Sequence, residues 1–277
     1  MDVSQTLNVS LMNLRRSWPH GWPGMQAVVA GCFQRLDLDL VPTDPAMLTC
    51  TRCIHDLSEW LERDGEERRR DGVEPAYHNR LHTADTMVSL TLLLQAQRQL
   101  SGRDPVASAR HERLSLLAML AHDLLHDGGV NQFEAQLESR SVQALTPLMQ
   151  HHGLPGSDQA VVRHLILKTD AQAVPATHKQ IAGRPFDLDD LECLTVLVQE
   201  ADIMASTLPS TGPSLTHHLA EEWTRSNPSQ ARQLLTPAGR LRFLEHAALF
   251  SSPASQLLGA QTARQAQMDA LRHCLDC

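Results

Sequence analysis

Residues 114–129 read LSLLAMLAHDLLHDGG, and this stretch decides the fold class and points to the chemistry. The apolar run at 114–121 favours a buried helix, and the two glycines at the end of the stretch favour helix termination there. The pair His122-Asp123 interrupts the apolar character, and His126 follows about one helical turn later. Buried imidazole and carboxylate groups need polar partners, so the stretch indicates a bound partner, and we expect a divalent metal ion.

Apolar residues recur at three- and four-residue steps through most of the 277 residues. The segments 161–167, 191–204 and 241–249 repeat this spacing, and no stretch shows the alternation of a half-buried strand. The sequence therefore predicts an all-α protein, a compact bundle of many helices. We expect one domain over residues 1–277, with a helical N-terminal part at 1–50 and a motif-bearing core at 75–250.

Two stretches predict breaks in the helical pattern. The charged residues 62–74 are expected to end a helix in a solvated loop. Residues 171–190 contain Pro175, Gly183 and Pro185, and we expect a long loop there that covers a functional site.

Acidic residues outnumber basic ones, 32 Asp and Glu against 24 Lys and Arg, which gives a net charge of -8. This balance argues against a nucleic-acid backbone as the main partner. A small anionic substrate stays compatible with it, because bound metal ions reverse the local charge of a pocket. The sequence shows no leader pattern at its start and no apolar window of about 18 residues, so we expect a cytoplasmic protein with reduced thiols and no membrane partner. The oligomeric state stays open.

Four of the six cysteines form two Cys-x-x-Cys pairs, Cys50 with Cys53 and Cys274 with Cys277. If the two segments met, four thiolates could bind zinc. Two unrelated pairs are the favoured alternative, because the halves of a structural zinc site usually lie within about 20 residues of each other.

A second polar cluster lies at residues 77–85, which read YHNRLHTAD. His78, His82 and Asp85 are spaced i, i+4 and i+7, so one helix face could carry all three. A surface helix with incidental histidines is the alternative. A third element is Asp202, a lone acid in an apolar segment, which needs a charge partner if it is buried. An exposed aspartate on a helix surface is the alternative there.

Two histidines and two aspartates from the three elements form a possible metal-ligand set: His82, His122, Asp123 and Asp202. Nitrogen and oxygen donors suit zinc, iron, manganese or magnesium. A carboxylate such as Asp123 can bridge two ions about 3.5–4 Å apart, the arrangement that activates a hydroxide for attack on a phosphoester. His78, one turn before a ligand, is then placed to donate a proton to the leaving oxygen.

The order of these motifs resembles the catalytic domain of class I 3′,5′-cyclic-nucleotide phosphodiesterases of the HD superfamily, in a divergent form of bacterial type. The resemblance rests on Tyr-His-Asn-x-x-His-x-x-Asp at 77–85, His-Asp-x-x-His-x-Gly-x-x-Asn-x-Phe at 122–133 and Ala-Asp at 201–202. It spans roughly residues 77–250. It implies a compact helical bundle that hydrolyses a phosphodiester, foremost a 3′,5′-cyclic nucleotide to the 5′-monophosphate, by a hydroxide that bridges two metals.

The resemblance also implies roles for single residues. Its metal ligands are matched by His82, His122, Asp123 and Asp202, which would hold a tightly bound Zn²⁺, with Asp123 shared by a second ion, Mg²⁺ or Mn²⁺. His78 matches the general acid, and His126 stands beside it in the catalytic group. Supporting positions around these residues are matched by Tyr77, Asn79, Asp85, Asn131, Glu138 and Asp170. Of these, Glu138 is expected to pair with the second histidine of the central motif, and Asp170 to lie near the second ion.

One segment departs from the family pattern. The family reads its purine with a glutamine and clamps the base with a phenylalanine three residues later, and the best counterparts here are Arg240 and Phe243. Arginine offers only donors, in a charged fork that suits carboxylate or phosphate. We therefore expect Arg240 and Phe243 to bind the substrate, whose identity stays open. The alternatives are an ordinary amphipathic helix with Phe243 in the core, or a base-reading residue elsewhere.

Other functions also stay open. HD folds host phosphohydrolases and di-iron oxygenases that act on non-nucleotide substrates, so iron is an alternative metal, although the additional ligands of a di-iron centre are not evident. A catalytically weak relative that only binds a ligand is a third reading. All four ligands and His78 are present, which argues against that reading.

Overall fold

Fourteen helices and no strand make up residues 3–276, the part of the chain that this computed structural model describes, with side chains described from residue 5 onward. In chain order the helices are α1 (Val3–Ser17), α2 (Met25–Arg35), α3 (Pro45–Arg70), α4 (Arg80–Ser101), α5 (Pro105–Ala121), α6 (Gln136–His151), α7 (Gly156–Leu167), α8 (Val174–Ile181), α9 (Leu191–Thr207), α10 (Gly212–Ser226), α11 (Pro228–Leu234), α12 (Pro237–His246), α13 (Pro253–Leu257) and α14 (Ala260–Asp276). The predicted all-α fold class is confirmed.

Helix α4 lies at the centre of the bundle and packs against α1, α2, α5, α9 and α13. Because it is covered on several sides, its small polar residues cannot reach water. Their hydroxyls donate to carbonyls of the preceding turn instead, Ser89 to Asp85 at 2.7 Å and Thr91 to Met87 at 2.8 Å. Helix α9 is also largely buried and packs along α4, so these two helices form much of the buried core.

The three helices at the core of the site begin with an Asn or Asp that caps them. The side chain of Asn79 accepts the backbone N–H groups of the first turn of α4, Asp104 does so for α5, and Asp190 for α9. Such caps satisfy backbone donors that have no partner inside the helix, each with about 1 kcal/mol of stabilisation. The caps fix where α4, α5 and α9 begin, and hence which residues fall on each turn.

Helix α3 ends at Arg70, inside the charged stretch 62–74 where a helix end and loop were predicted, so helix occupies most of that stretch. The reason is tertiary. The buried guanidinium of Arg80 donates to Glu62 on α3 at 2.5 Å and to Glu74 just beyond α3 at 2.9 Å. Gly65 makes room for it, because a Cβ there would lie 2.2 Å from the Arg80 Nε. Charged residues of the segment thus anchor a buried arginine as well as facing water.

Helix α5 ends at Ala121, several residues before the two glycines where its end was predicted. Beyond it the backbone tightens, with bonds between residues three apart: Leu124 N–H donates to the Ala121 carbonyl, and His126 N–H to the Asp123 carbonyl, both at 3.0 Å. Leu125 then takes a left-handed conformation with φ 62°. Asp123 and His126 therefore lie in this turn, beyond the last residue of α5. The predicted covering loop at 171–190 similarly contains a helix, α8.

The described cysteines of the two Cys-x-x-Cys pairs differ in burial. Cys50 and Cys53 are buried in α3, whereas Cys274 is exposed near the end of α14, and Cys277 lies outside the described residues. Burial, with a smaller contribution from the charge of Asp56, raises the pKa of the Cys53 thiol to about 12. Among the described residues no cysteine belongs to a cluster of three or more metal-binding side chains. None of the described helices is long and apolar enough to cross a membrane.

Candidate metal centre

The residues predicted as metal ligands converge on one point between α4, the end of α5 and α9. The Nε2 atoms of His82 and His122 lie 3.3 and 3.1 Å from the Asp123 Oδ2, and 3.2 and 3.3 Å from the Asp202 Oδ1. With metal–ligand bonds of about 2.1 Å, adjacent ligand atoms lie about 3.0 Å apart in an octahedral site and about 3.4 Å apart in a tetrahedral one. The separations therefore fit adjacent ligands of a single ion.

His122 supplies the clearest indication of a cation. Its Nδ1 lies 2.7 Å from the Met119 carbonyl, and a carbonyl only accepts, so Nδ1 carries the proton. In the neutral ring Nε2 is then a bare acceptor. This atom is buried and has no hydrogen-bond partner among the described residues, although two carboxylates stand beside it. A neutral acceptor that faces two anions inside a protein needs positive charge there, either a second proton on the ring or a cation between the groups, and the donor set is one that zinc and related ions use.

The electrostatics of the four groups agree with this reading. Burial alone would lower the pKa of His82, but the hydrogen bonds and charges of Asp123 and Asp202 outweigh it and raise that pKa to about 9. The same carboxylates raise the pKa of His122 against its burial. Burial opposes ionisation of the two aspartates, yet the imidazoles hold both carboxyl pKa values below their ordinary range. The carboxylates thus stay ionised and require positive charge between them, from protons or from a metal ion.

The opening of the site lies on the carboxylate side. The side chains of His82 and His122 are 3% and 2% exposed, whereas those of Asp123 and Asp202 are 20% and 22% exposed. A ligand that enters from solvent therefore meets the aspartates first, with the imidazoles at the buried end.

His78 lies before α4 rather than on it, so the predicted single helix face with His82 and Asp85 is wrong for His78. The Asn79 cap makes Arg80 the first residue of α4, two residues after His78. Instead, the His78 Nδ1 lies 2.5 Å from the Oε1 of Glu222 on α10. The other oxygen of Glu222 accepts the backbone N–H groups of Tyr77 and His78 at 2.8 and 3.0 Å. One carboxylate therefore fixes both the backbone and the ring of His78.

The Glu222 carboxylate is ionised. Burial would raise its pKa, but the hydrogen bonds from His78 and the two backbone N–H groups lower it to about 2. With Nδ1 donating to this carboxylate, the other ring nitrogen of His78 faces the site. The ring stacks on that of His126, with centroids 3.8 Å apart.

His126 is held as a neutral donor. Its Nδ1 accepts the Gly128 N–H at 3.0 Å, so in the neutral ring the proton sits on Nε2. Burial, with the nearby charge of His78, lowers the pKa of His126 to about 4. Ligand atoms of His78, Asp123 and His126 lie within 4.8 Å of one another. Because the His126 Nε2 carries a proton, the two imidazoles of this trio are better suited to donate hydrogen bonds to an oxyanion than to hold a metal ion with Asp123.

Acidic groups gather on the other side of Asp123. Asn131 donates to the Glu138 carboxylate at 3.0 Å, and Asp170 accepts the Ala135 N–H at 2.7 Å. The pKa of Glu138 is raised, first by burial and then by the charges of Asp170 and Asp123. This mutual repulsion marks the region as one where a second cation would be stabilised. Glu138 contacts Asn131, and its predicted pairing with the second histidine is not among the contacts of the described residues.

The other predicted supporting residues surround the buried end of the site. Asp85 is fully buried one turn after His82 and forms an ion pair with Arg15 of α1. The hydroxyl of Tyr77 lies 2.7 Å from that of Ser206. Asn79 caps α4 and thereby sets the position of His82. All three hold neighbouring backbone or side chains, and the ring of Tyr77 also lies against that of His82, with centroids 4.7 Å apart.

Arg240 is engaged inside the protein. Its guanidinium donates to the Ser206 carbonyl at 2.8 Å and to the Gln267 carboxamide at 2.9 Å, and it lies over the Phe243 ring at 5.2 Å. Burial lowers the pKa of Arg240 to about 10, although the nearby Tyr77 opposes this. Substrate binding by Arg240 and Phe243 stays a prediction.

Two charged residues of the site carry no local signal in the sequence. Glu222 lies 144 positions from His78 and stands in an ordinary charged helix turn. Arg15 comes from the first helix, 70 positions before Asp85. Only their tertiary placement shows what they contact, so neither could be selected from spacing.

No protein-family model and no curated protein sequence matches the chain. Among solved structures, the chain is similar to a class I phosphodiesterase of Leishmania, LmjPDEB1, in complex with IBMX. The TM-score is 0.67, with 14% sequence identity over 96% of this chain and 91% of that one. At this identity the similarity shows the fold: this chain has the helical fold of a phosphodiesterase.

Proposed function

We propose that this protein is a metal-dependent phosphodiesterase whose substrate is a small anionic phosphodiester, foremost a 3′,5′-cyclic nucleotide that it opens to the 5′-monophosphate. The observation that carries the proposal is the bare, buried Nε2 of His122 between two ionised aspartates. The helical fold shared with a phosphodiesterase supports it, as does the order of the motifs.

The residues present fit a two-ion centre. His82, His122, Asp123 and Asp202 would hold the tight ion, Zn²⁺ by its nitrogen and oxygen donors, and Asp123 would share a second ion, Mg²⁺ or Mn²⁺, beside the acidic groups of Glu138 and Asp170. Such ions, when bound, neutralise phosphate charge and activate water for attack on phosphorus. Everything else in the reaction falls to the side chains of this chain.

His78 is proposed as the general acid. Its Nδ1 donates to the ionised Glu222, so the orientation of the ring is fixed. The other nitrogen is then free to deliver a proton to the departing ribose oxygen, a step that commonly contributes about 10²–10⁴-fold to a rate. After the P–O bond breaks, the proton ends on the new 3′-hydroxyl and His78 regains one from solvent.

His126 is proposed as a neutral donor to the phosphate. Its Nε2 proton is fixed by the bond that Nδ1 accepts from Gly128. A donor aimed at a developing oxyanion stabilises the transition state more than the ground state when the surroundings exclude water. The stacking of His126 on His78 places both rings at the same side of the reacting group.

The proposal is tested by hydrolysis assays of the full chain, loaded with Zn²⁺ and either Mg²⁺ or Mn²⁺, on cAMP, cGMP and bis(p-nitrophenyl) phosphate. We expect hydrolysis that a chelator abolishes and that Asp123→Asn lowers at least about 10³-fold. Asp127→Asn is the matched control, because Asp127 lies in the same turn but is exposed and pairs with Arg140. Full activity of Asp123→Asn, or no hydrolysis of any of these diesters, overturns the proposal. Stoichiometric iron with oxygen uptake would assign the centre to an oxygenase instead.

A further inference from the structure

A groove between α1, α2 and α4 contains none of the residues of the metal centre. It has a volume of about 360 Å³, within the range of small-molecule sites. Val28, Cys32 and Arg35 line it from one face of α2. Val88 and Leu92 line it from one face of α4. Because these steps are three or four residues, the groove follows the helix axes, over about 10 Å from Val28 to Arg35.

The interior of the groove is apolar. Val28, Cys32 and Leu92 are buried at its base, and Val88 is partly exposed beside them. At Gly31 on α2 a side chain would meet open space, since no atom lies within 4 Å of the Cβ position. An alkyl chain laid in the groove would remove apolar surface from water, which is favourable in proportion to the area covered.

One end of the groove is basic. Arg35 lines the groove and also lines a second depression, of about 520 Å³, beside the connection from α4 to α5. The face of α4 that carries Leu92 continues through Gln95 to Gln99 at steps of three and four residues, so the groove and the depression adjoin along one helix face. Among the described residues no acid lines either of them.

The charge of Arg35 has no acidic counterpart. Its Nε donates to the Gln95 side-chain oxygen at 2.9 Å, and it forms no ion pair among the described residues. The two other arginines of the depression pair with acids, Arg98 with Glu112, and Arg103 with Asp187 and Asp189. Arg35 therefore offers a free guanidinium edge to a carboxylate, in a chain whose net charge is -8.

We propose that this groove binds a single-chain fatty-acid carboxylate, with its alkyl chain between α1, α2 and α4 and its carboxylate on Arg35. The apolar walls and the basic end stand in the order that such a molecule requires. A membrane surface fits less well, because membrane-binding helices present their apolar residues on an open face, whereas Val28 and Leu92 are buried inside a groove. Binding needs neither metal nor turnover, so this site is independent of the proposed phosphodiesterase function.

The test is isothermal titration of the full chain at neutral pH with sodium decanoate as the probe, kept below its micelle concentration. We expect saturable 1:1 binding that Arg35→Gln weakens about tenfold or more, because the charge-assisted bonds to the carboxylate are lost. Arg16→Gln is the matched control. Arg16 is an exposed arginine of α1 that does not line the groove, so its replacement should leave the affinity within about twofold.

The place of the alkyl chain has its own test. Octanoate, which is shorter by two methylenes, should bind about tenfold more weakly than decanoate. Gly31→Phe puts a bulky side chain at the groove wall and should weaken decanoate binding by about the same factor. Ala30→Phe is the matched control on the exposed neighbour, which does not line the groove, and it should leave the affinity within about twofold.

Several outcomes would overturn the site. They are the absence of decanoate binding, binding that Arg35→Gln does not weaken, and equal affinity for octanoate and decanoate. Sedimentation with vesicles of phosphatidylglycerol and phosphatidylcholine covers the competing case, since binding to vesicles without binding to decanoate would assign this face to a membrane. The comparison of octanoate with decanoate uses the unaltered chain, so it holds even if a variant fails to fold. None of these outcomes depends on hydrolysis, so they are distinct from failure of the proposed phosphodiesterase function.

Discussion

Helix α9 carries two acids two positions apart, the buried Glu200 and the partly exposed Asp202, and the two have opposite surroundings. Glu200 accepts the backbone N–H groups of Ser251 and Ser252 at 2.5 and 2.7 Å, and also the Ser252 hydroxyl. Every one of its partners donates. Asp202 faces the Nε2 atoms of His82 and His122, of which the latter is an acceptor in its neutral form.

The comparison shows what separates a structural acid from a candidate ligand. Burial raises the pKa of Glu200 to about 7, although its hydrogen bonds to Ser252 and Ser251 oppose this, and the protein can satisfy it by itself. Asp202 is held ionised beside imidazoles, and among the residues that the structure describes only protons on those rings supply its positive counterpart. A buried carboxylate in an apolar helix is therefore not a functional signal until the nature of its partners is known.

The largest expected effect is on metal binding and hydrolysis, and it tests the difference between Asp202 and Glu200. Asp202→Asn removes a charge that the metal centre needs, so it should lower bound zinc in the purified protein and reduce phosphodiester hydrolysis by at least about 10³-fold. Glu200→Gln should leave the zinc content and the activity near the wild-type level. Metal analysis and steady-state rates measure both. If the two variants behaved alike, Asp202 would be a structural acid like Glu200.

The next effect concerns a third acid, Glu222, which pairs with a histidine as Asp202 does. Glu222 accepts a hydrogen bond from the Nδ1–H of His78. His78→Gln should lower kcat on a cyclic nucleotide by about 10²–10⁴-fold, and Glu222→Gln by about 10–100-fold. Both losses should shrink with bis(p-nitrophenyl) phosphate, whose leaving group needs no proton. Equal losses on both substrates would argue against a proton-donor role for His78.

The pH dependence of stability distinguishes the two sides of α9 in the metal-free protein. The pKa of His82 is raised from 6.5 to about 9 in the folded state, so the stabilisation of about 3 kcal/mol is fully present below pH 6.5 and is lost as the pH rises through 9. Denaturant unfolding of chelator-treated protein should show this fall between pH 6.5 and 9. Zinc-loaded protein should not show it, since metal replaces the proton. A metal-free protein whose stability stayed constant over this range would contradict the coupling of His82 to the two aspartates.

The smallest expected effect is on stability, and it concerns the structural role of Glu200. Glu200→Gln should destabilise the protein by about 1–3 kcal/mol, because an amide replaces a carboxylate that accepts three hydrogen bonds at the start of α13. Thermal or denaturant unfolding measures the change. Glu245→Gln serves as the control on an exposed ion pair with Arg272 and should change stability by less than about 1 kcal/mol. A larger effect for Glu245→Gln than for Glu200→Gln would reverse the assignment.

Local signals predicted much of the fold. Helical spacing gave the all-α class, and the caps at Asn79, Asp104 and Asp190 are readable from sequence because a short polar side chain before an apolar run satisfies helix N–H groups. The ends of the helices were harder to predict from the sequence. Nothing local shows that α5 stops at Ala121, since that end depends on the turn that carries Asp123 and on the His122 bond to Met119.

The residue types and their order fix which chemical groups are available. These are two imidazoles and two carboxylates, in motifs whose order resembles a phosphodiesterase, on helices whose apolar faces must be buried. The packing of the whole chain sets which of those groups meet: Glu222 holds His78, Arg15 pairs with Asp85, and Glu200 meets only donors whereas Asp202 faces the unpartnered Nε2 of His122. The reason is the separation along the chain over which each interaction acts. Caps and helical periodicity act over a few residues, whereas an ion pair or a metal site joins segments separated by tens of residues, and their meeting depends on how the whole core packs.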